Sequence, residues 1–158
     1  MFSPESVTVK IPVKAHVKAY LEKNLFLTRP YYLSSTDPFG MVIHEFLEPK
    51  KKAETPIRLQ HESTIDVKLG FNTGINYKMV ITQEKAKRFN LFVERMIMHE
   101  LCRVLDWTRE HTVMEIREGI FRFQDRYGFD ESQMSYDRLK KAYYRHRLRS
   151  KDAVSTAA

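Results

Sequence analysis

The sequence predicts an α+β protein: a small antiparallel three-stranded sheet with short helices, followed by a three-helix C-terminal part that ends in a basic helix. Three observations carry this expectation. Apolar residues alternate between Val7 and Val13 and again between Ile65 and Ile81. A helical apolar period takes over from Thr82, and cap-forming residues stand where the helical stretches begin. With 158 residues, 42% hydrophobic and 30% charged, the chain can bury a core and is too apolar for wholesale disorder.

Val7, Val9, Ile11 and Val13 alternate with Thr8, Lys10 and Pro12, the pattern of a half-buried strand, and Pro12 places it at an edge. The period then changes: Val17, Tyr20, Leu21 and Leu25 recur at helical spacing. Asp37 followed by Pro38 is a helix start, with Asp37 as N-cap and Pro38 at the first helical position. The spacing predicts a short helix through Phe39, Val42, Ile43, Phe46 and Leu47, ending before Pro49. Residues 49–60, with Lys50, Lys51, Lys52 and Pro56, have no apolar period and read as an exposed loop. Ile65, Val67, Leu69 and Phe71, then Asn72-Thr73-Gly74, then Ile75, Tyr77, Met79 and Ile81 predict a hairpin that completes the three-stranded sheet.

Thr82 can cap a long helix to about Arg109, whose apolar face from Ala86 to Trp107 is broader than one neighbour covers. Thr112 and Glu115 have capping-box spacing, and Val113, Ile116, Ile120, Phe123 and Tyr127 continue a second helix that Gly128 closes. Residues 129–134 connect it to a third helix capped by Ser135. The expected organisation is therefore a small α+β part at 1–81, a helical part at 82–151 with a helix-turn-helix-like end, and a flexible tail at 152–158.

Ser135 to Lys151 holds seven basic residues and one acid, Asp137, a local net charge of +6 against +7 for the whole chain. On a helix Tyr136, Leu139, Ala142 and Tyr143 share one stripe while Arg138, Lys141, Arg145 and Arg149 lie opposite. One side can pack and the other can face phosphates. Lys140, Tyr144 and Arg147 occupy the adjoining surface, where Tyr144 could stack on a base. The predicted nucleic-acid contacts are thus Arg138, Lys140, Lys141, Tyr144, Arg145, Arg147 and Arg149. Tyr136, Leu139 and Tyr143 packing on Ile120, Phe123 and Tyr127 would brace the helix. A turn between Tyr127 and Ser135 is longer than the three or four residues of the DNA-reading helix-turn-helix.

Catalytic and metal signals are poor. His99-Glu100 begins like a zinc-protease helix, but position 103 is Arg, so the second histidine ligand is missing. Asp66-Val67-Lys68 echoes half of a nuclease site and reads better as the solvent face of a strand. Thr8 and Lys10 would point to bases in a ribbon-helix-helix arrangement, but later strands can pair with theirs within the chain. No glycine loop suits a phosphate cradle. The expectation is a protein that is not an enzyme and needs no cofactor or metal. Cys102 is the only cysteine, which points to a reducing compartment. With no signal-like start and no long apolar run, a cytoplasmic location without membrane association is expected.

Val9-Lys10-Ile11-Pro12-Val13, Arg88-Phe89-Asn90, Phe123-Gln124 with Tyr127-Gly128-Phe129, and Ser135-Tyr136-Asp137 with Leu139 to Arg145 together resemble small basic proteins of Bacteroidota phages and integrated mobile elements. The resemblance implies a bacterial or phage setting and adds no catalytic residues, and a mobile-element setting favours nucleic-acid work. The functional expectation is non-enzymatic DNA binding, as a regulator or accessory factor of such an element; RNA would satisfy the same chemistry. The alternative is a structural or assembly protein that forms a homo-oligomer and docks its basic helix on an acidic partner.

Overall fold

The computed structural model describes residues 7–25, 30–49 and 63–156. It is a mixed α+β structure whose chain divides into two compact units, residues 1–93 and 94–158. The predicted loop at 50–60 lies outside the described residues.

The first unit is built around strand β1 (Val7–Val13), helix α1 (Ala15–Asn24) and strands β2 (Tyr31–Tyr32) and β4 (Ser63–Leu69), with α2 (Pro38–His44) and β3 (Leu47–Pro49) between them. Then come α3 (Phe71–Asn76), β5 (Tyr77–Met79) and the long helix α4 (Gln83–His111), which begins here. β1 and β4 pair antiparallel with Lys10 opposite Asp66, so that Ile11, Val13, Ile65, Val67 and Leu69 are buried. Pro12, which has no amide hydrogen, sits on an edge strand as expected.

The third strand differs from the expectation. It is Tyr31–Tyr32, which lies parallel to β4, so the sheet order is β1-β4-β2. The predicted hairpin does not form: residues 71–76 are helical, and Tyr77–Met79 pairs antiparallel with Leu47–Pro49 as a separate ribbon. That pairing also corrects the end of α2. The helix stops at His44 and Leu47 takes a strand conformation opposite Met79.

Two polar groups fix the turns of this unit. Asp37 caps α2 by accepting the Gly40 N–H at 2.8 Å and also accepts the Tyr31 hydroxyl. Burial, then the Asp37 carboxylate, push the Tyr31 hydroxyl pKa well above its ordinary value. Gly40 is required there, because a Cβ would lie 1.7 Å from the Ser34 carbonyl oxygen. Buried Asn90 joins three segments: its Oδ1 accepts the Lys14 N–H at 2.8 Å, and its Nδ2 donates to the carbonyls of Ala86 at 2.8 Å and Pro12 at 3.3 Å. It thereby supplies a partner for a first-turn amide of α1, whose N-cap Lys14 has no side-chain acceptor to offer.

The division at Val93 falls inside α4, later than the expected boundary at 81. Its first turns belong to the first core: Phe89 meets Phe46 edge-on at 6.2 Å and Phe92 meets Phe39 at 6.0 Å. Thr82 caps the helix as expected, accepting the Lys85 N–H at 3.1 Å.

The second unit comprises the rest of α4, α5 (Ile116–Tyr127) and α6 (Tyr136–Thr156). Ile97, Leu101 and Leu105 of α4 are fully buried, as are Ile120, Met134, Leu139 and Tyr143. Phe123, Tyr127 and Phe129 form an aromatic cluster with ring centroids 5.1 to 6.1 Å apart. Gly128 ends α5 in the left-handed conformation at φ 63°, where glycine carries no Cβ penalty. The capping box at Thr112 is absent. The Thr112 hydroxyl donates back to the Thr108 carbonyl at 2.6 Å, which extends the end of α4, and α5 starts after Glu115 without a side-chain cap. The expected tail at 152–158 is helical as far as Thr156, whose hydroxyl donates to the Asp152 carbonyl at 2.9 Å.

Candidate functional site

Two acceptors start the basic helix. Ser135 Oγ accepts the Arg138 N–H at 3.2 Å, and Glu131 accepts the Tyr136 N–H at 2.9 and 3.1 Å. Both satisfy amides that the first turn leaves open, and the Glu131 charge stands at the positive end of the helix dipole. Gln124, buried in α5, holds Glu131 at 3.0 Å and donates to the Met134 carbonyl at 2.8 Å. In the intervening turn Asp130 accepts the Ser132 N–H at 2.8 Å, and that bond holds its carboxyl below the usual range.

The inner stripe of α6 is buried as the spacing predicts. Leu139 and Tyr143 are fully covered, α5 packs on α6, and Phe121 stacks on Tyr136 at 5.0 Å. The outer stripe is exposed: Arg138, Lys140, Lys141, Arg145 and Arg149 face solvent, Tyr144 is 46% exposed and Arg147 is half-buried.

These cations are not equivalent. Arg138 lies 3.5 Å from the Glu94 carboxylate and donates to the Gln133 carbonyl at 3.1 Å, so it is already used within the fold. The Lys140 ammonium stands 5.7 Å over the Tyr136 ring and stays exposed. Among the described residues, Lys141, Arg145, Arg147 and Arg149 have no carboxylate partner.

A groove of about 390 Å³ runs between α4 and α6 in this unit. From α4 it takes His99, Arg103 and Asp106 with Met98 and Cys102; from α6 it takes Arg145, His146 and Arg149 with Ala142. Asp106 is its only acid, and both oxygens are engaged: Oδ1 accepts the Tyr143 hydroxyl at 2.9 Å and Oδ2 lies 2.9 Å from His146 Nε2. Burial, then Asp106, push the Tyr143 hydroxyl up to about 12.

Cys102, His146 and Asp106 thus meet in one groove, the residue types of a thiol nucleophile with its base and orienting acid. The thiol is not activated. It is buried, with no hydrogen bond to either histidine among the described residues, and burial followed by the nearby Asp106 charge push it up to about 11. A thiol held protonated is a poor nucleophile and a poor metal ligand. Among the described residues no group of three or more His, Cys, Asp or Glu could hold a metal ion, and no helix is long and apolar enough to cross a membrane. Asp66 and Lys68 belong to the strand face: Asp66 pairs with Lys10 at 3.1 Å and Lys68 lies 5.4 Å over the Tyr32 ring.

Sequence reasoning found the outer row of α6 and missed the groove. Asp106 and His146 stand 40 positions apart, and only the register of α4 against α6 joins them. Arg103, which spoils the zinc-protease pattern, is a groove cation. No protein-family model matches the chain, and neither a curated protein nor a solved structure matches it.

Proposed function

We propose that the protein is a non-enzymatic DNA-binding protein of the cytoplasm, a regulator or accessory factor of a phage or mobile element. The observation that carries the reading is the ordered basic helix: Leu139 and Tyr143 are anchored beneath it, while Lys141, Arg145 and Arg149 face outward without carboxylate partners among the described residues. The contrast with the rest of its unit supports this. Residues 94–134 hold nine acids and six basic residues, yet Lys141, Arg145, Arg147 and Arg149 of α6 pair with none of those acids among the described residues. Lys140, Tyr144 and Arg147 extend the surface, and Arg138 contributes less because it is bound within the fold.

Such a surface binds phosphates first and bases second. Neutralising five to seven phosphates gives log K against log salt a slope of roughly −4 to −6. The test is the double variant Lys140→Glu, Lys141→Glu, which leaves the groove intact. Its affinity for random duplex DNA should fall by about tenfold or more, with a slope shallower by about two. Unchanged affinity and slope overturn the reading, and titrations of single-stranded DNA and RNA rank the three polymers.

A second reading is an assembly protein whose basic helix docks on an acidic partner. Its support is Trp107, 59% exposed and stacked on His111 at 5.1 Å, with exposed Val104 on the same face of α4. Light scattering with and without DNA separates the two: a large self-assembly indifferent to DNA favours assembly.

A further inference from the structure

We propose that the α4–α6 groove is a site for a phosphate group carrying two negative charges, held by Arg103, Arg145 and Arg149 with His99 and His146 beside them. The groove is concave and its lining carries a net positive charge, and a concave wall of net positive charge concentrates the field on an anion. Its charge count selects the ligand. Three arginines and one aspartate line the groove, an excess of two positive charges before the histidines are counted. Asp106 forms no ion pair with these arginines among the described residues, its two oxygens being engaged by the Tyr143 hydroxyl and His146. Guanidinium groups present paired donors that match phosphate oxygens, and three arginines can serve the three terminal oxygens of a phosphate monoester. A bridging phosphodiester, with one charge and two free oxygens, would leave one arginine unanswered. The volume lies within the roughly 300–1,000 Å³ of small-molecule pockets, so a phosphate can enter together with the group that bears it.

The site is separate from the Lys140–Lys141 surface and does not require duplex binding; it shares Arg145 and Arg149 with the proposed DNA face. The phosphate could come from a nucleic-acid terminus or from a free phosphate ester, and the two sources are separable. The full chain is titrated with inorganic phosphate against sodium chloride at matched ionic strength, following the ring signals of His99 and His146 by NMR. Saturable shifts at both rings are expected, and Arg103→Gln and Arg149→Gln should each weaken phosphate binding by about tenfold. Both side chains are exposed, so folding is not at stake, and a circular dichroism melt confirms it.

Duplexes of one sequence, with and without a 5′-phosphate, then identify the source: about a tenfold preference for the phosphorylated end assigns the site to nucleic-acid termini, and equal affinity assigns it to free esters. Absence of saturable shifts, or wild-type phosphate affinity in both variants, overturns the site. If phosphate binds while duplex does not, the DNA reading fails and the groove stands. If duplex binds while phosphate does not, the groove alone fails.

Discussion

The first unit and the basic helix of the second differ in how their cations are paired. In residues 1–93 three of the described cations pair with carboxylates: Lys10 with Asp66 at 3.1 Å, Lys85 with Glu48 at 3.0 Å (and with the Val80 carbonyl at 3.2 Å), and Arg88 with Glu45 at 3.8 Å. In α6 one arginine is tied and its neighbours are left outward on a helix whose Leu139 and Tyr143 are buried beneath. Asp37 and Asn90 in the first unit position backbone, whereas Lys141, Arg145, Arg147 and Arg149 of α6 have no carboxylate partner among the described residues.

Substitutions can break or sharpen that contrast. The largest effect is expected at Gly40→Ala, where the new Cβ would meet the Ser34 carbonyl oxygen and the Tyr31 hydroxyl. A clash with backbone cannot relax cheaply, so urea unfolding should report a loss of about 4 kcal/mol or failure to fold. Asn90→Leu removes a buried acceptor and donor together and leaves the Lys14 N–H and the Pro12 carbonyl without that partner. A loss of about 2 kcal/mol is expected in the same assay.

Tyr143→Phe keeps the buried ring and deletes its bond to Asp106, for a loss of about 1 kcal/mol near neutral pH. The same variant tests a pH dependence. The folded hydroxyl is raised from 10.0 to about 12, so its contribution is complete below pH 10 and is lost as pH climbs through about 12. Wild-type stability should therefore fall across that alkaline interval, and the fall should be smaller in the phenylalanine variant.

The smallest pair of effects states the contrast most directly. Lys85→Met should cost about 1 kcal/mol, since its ion pair is largely shielded, with side-chain exposures of 22% and 27%. Lys140→Glu with Lys141→Glu should change stability by less than about 0.5 kcal/mol, because neither cation has a carboxylate partner among the described residues. Comparable losses in the two melts would erase the distinction between the units.

What the sequence made legible was local chemistry. Asp37 before Pro38, Thr82 before α4, Gly128 after α5 and Ser135 before α6 all act through bonds within a few residues, and each stands where expected. The alternation at 75–81 misled because a two-residue period fixes strand character for Tyr77–Met79 without naming a partner, and the partner is Leu47–Pro49, some 30 positions earlier. Thr112 misled because a threonine hydroxyl can bond backward into the preceding helix as well as forward into the next. The outer row of α6 followed from helical geometry alone. The groove did not, since it depends on which turn of α4 meets which turn of α6.

Cys102 sits in the wall of that groove as the chain's only sulfhydryl, shielded and protonated. At 6% exposure it should react slowly with a disulfide-exchange reagent. The rate of labelling is therefore a built-in gauge of the groove, and any occupant that covers the thiol will slow it without a single engineered probe.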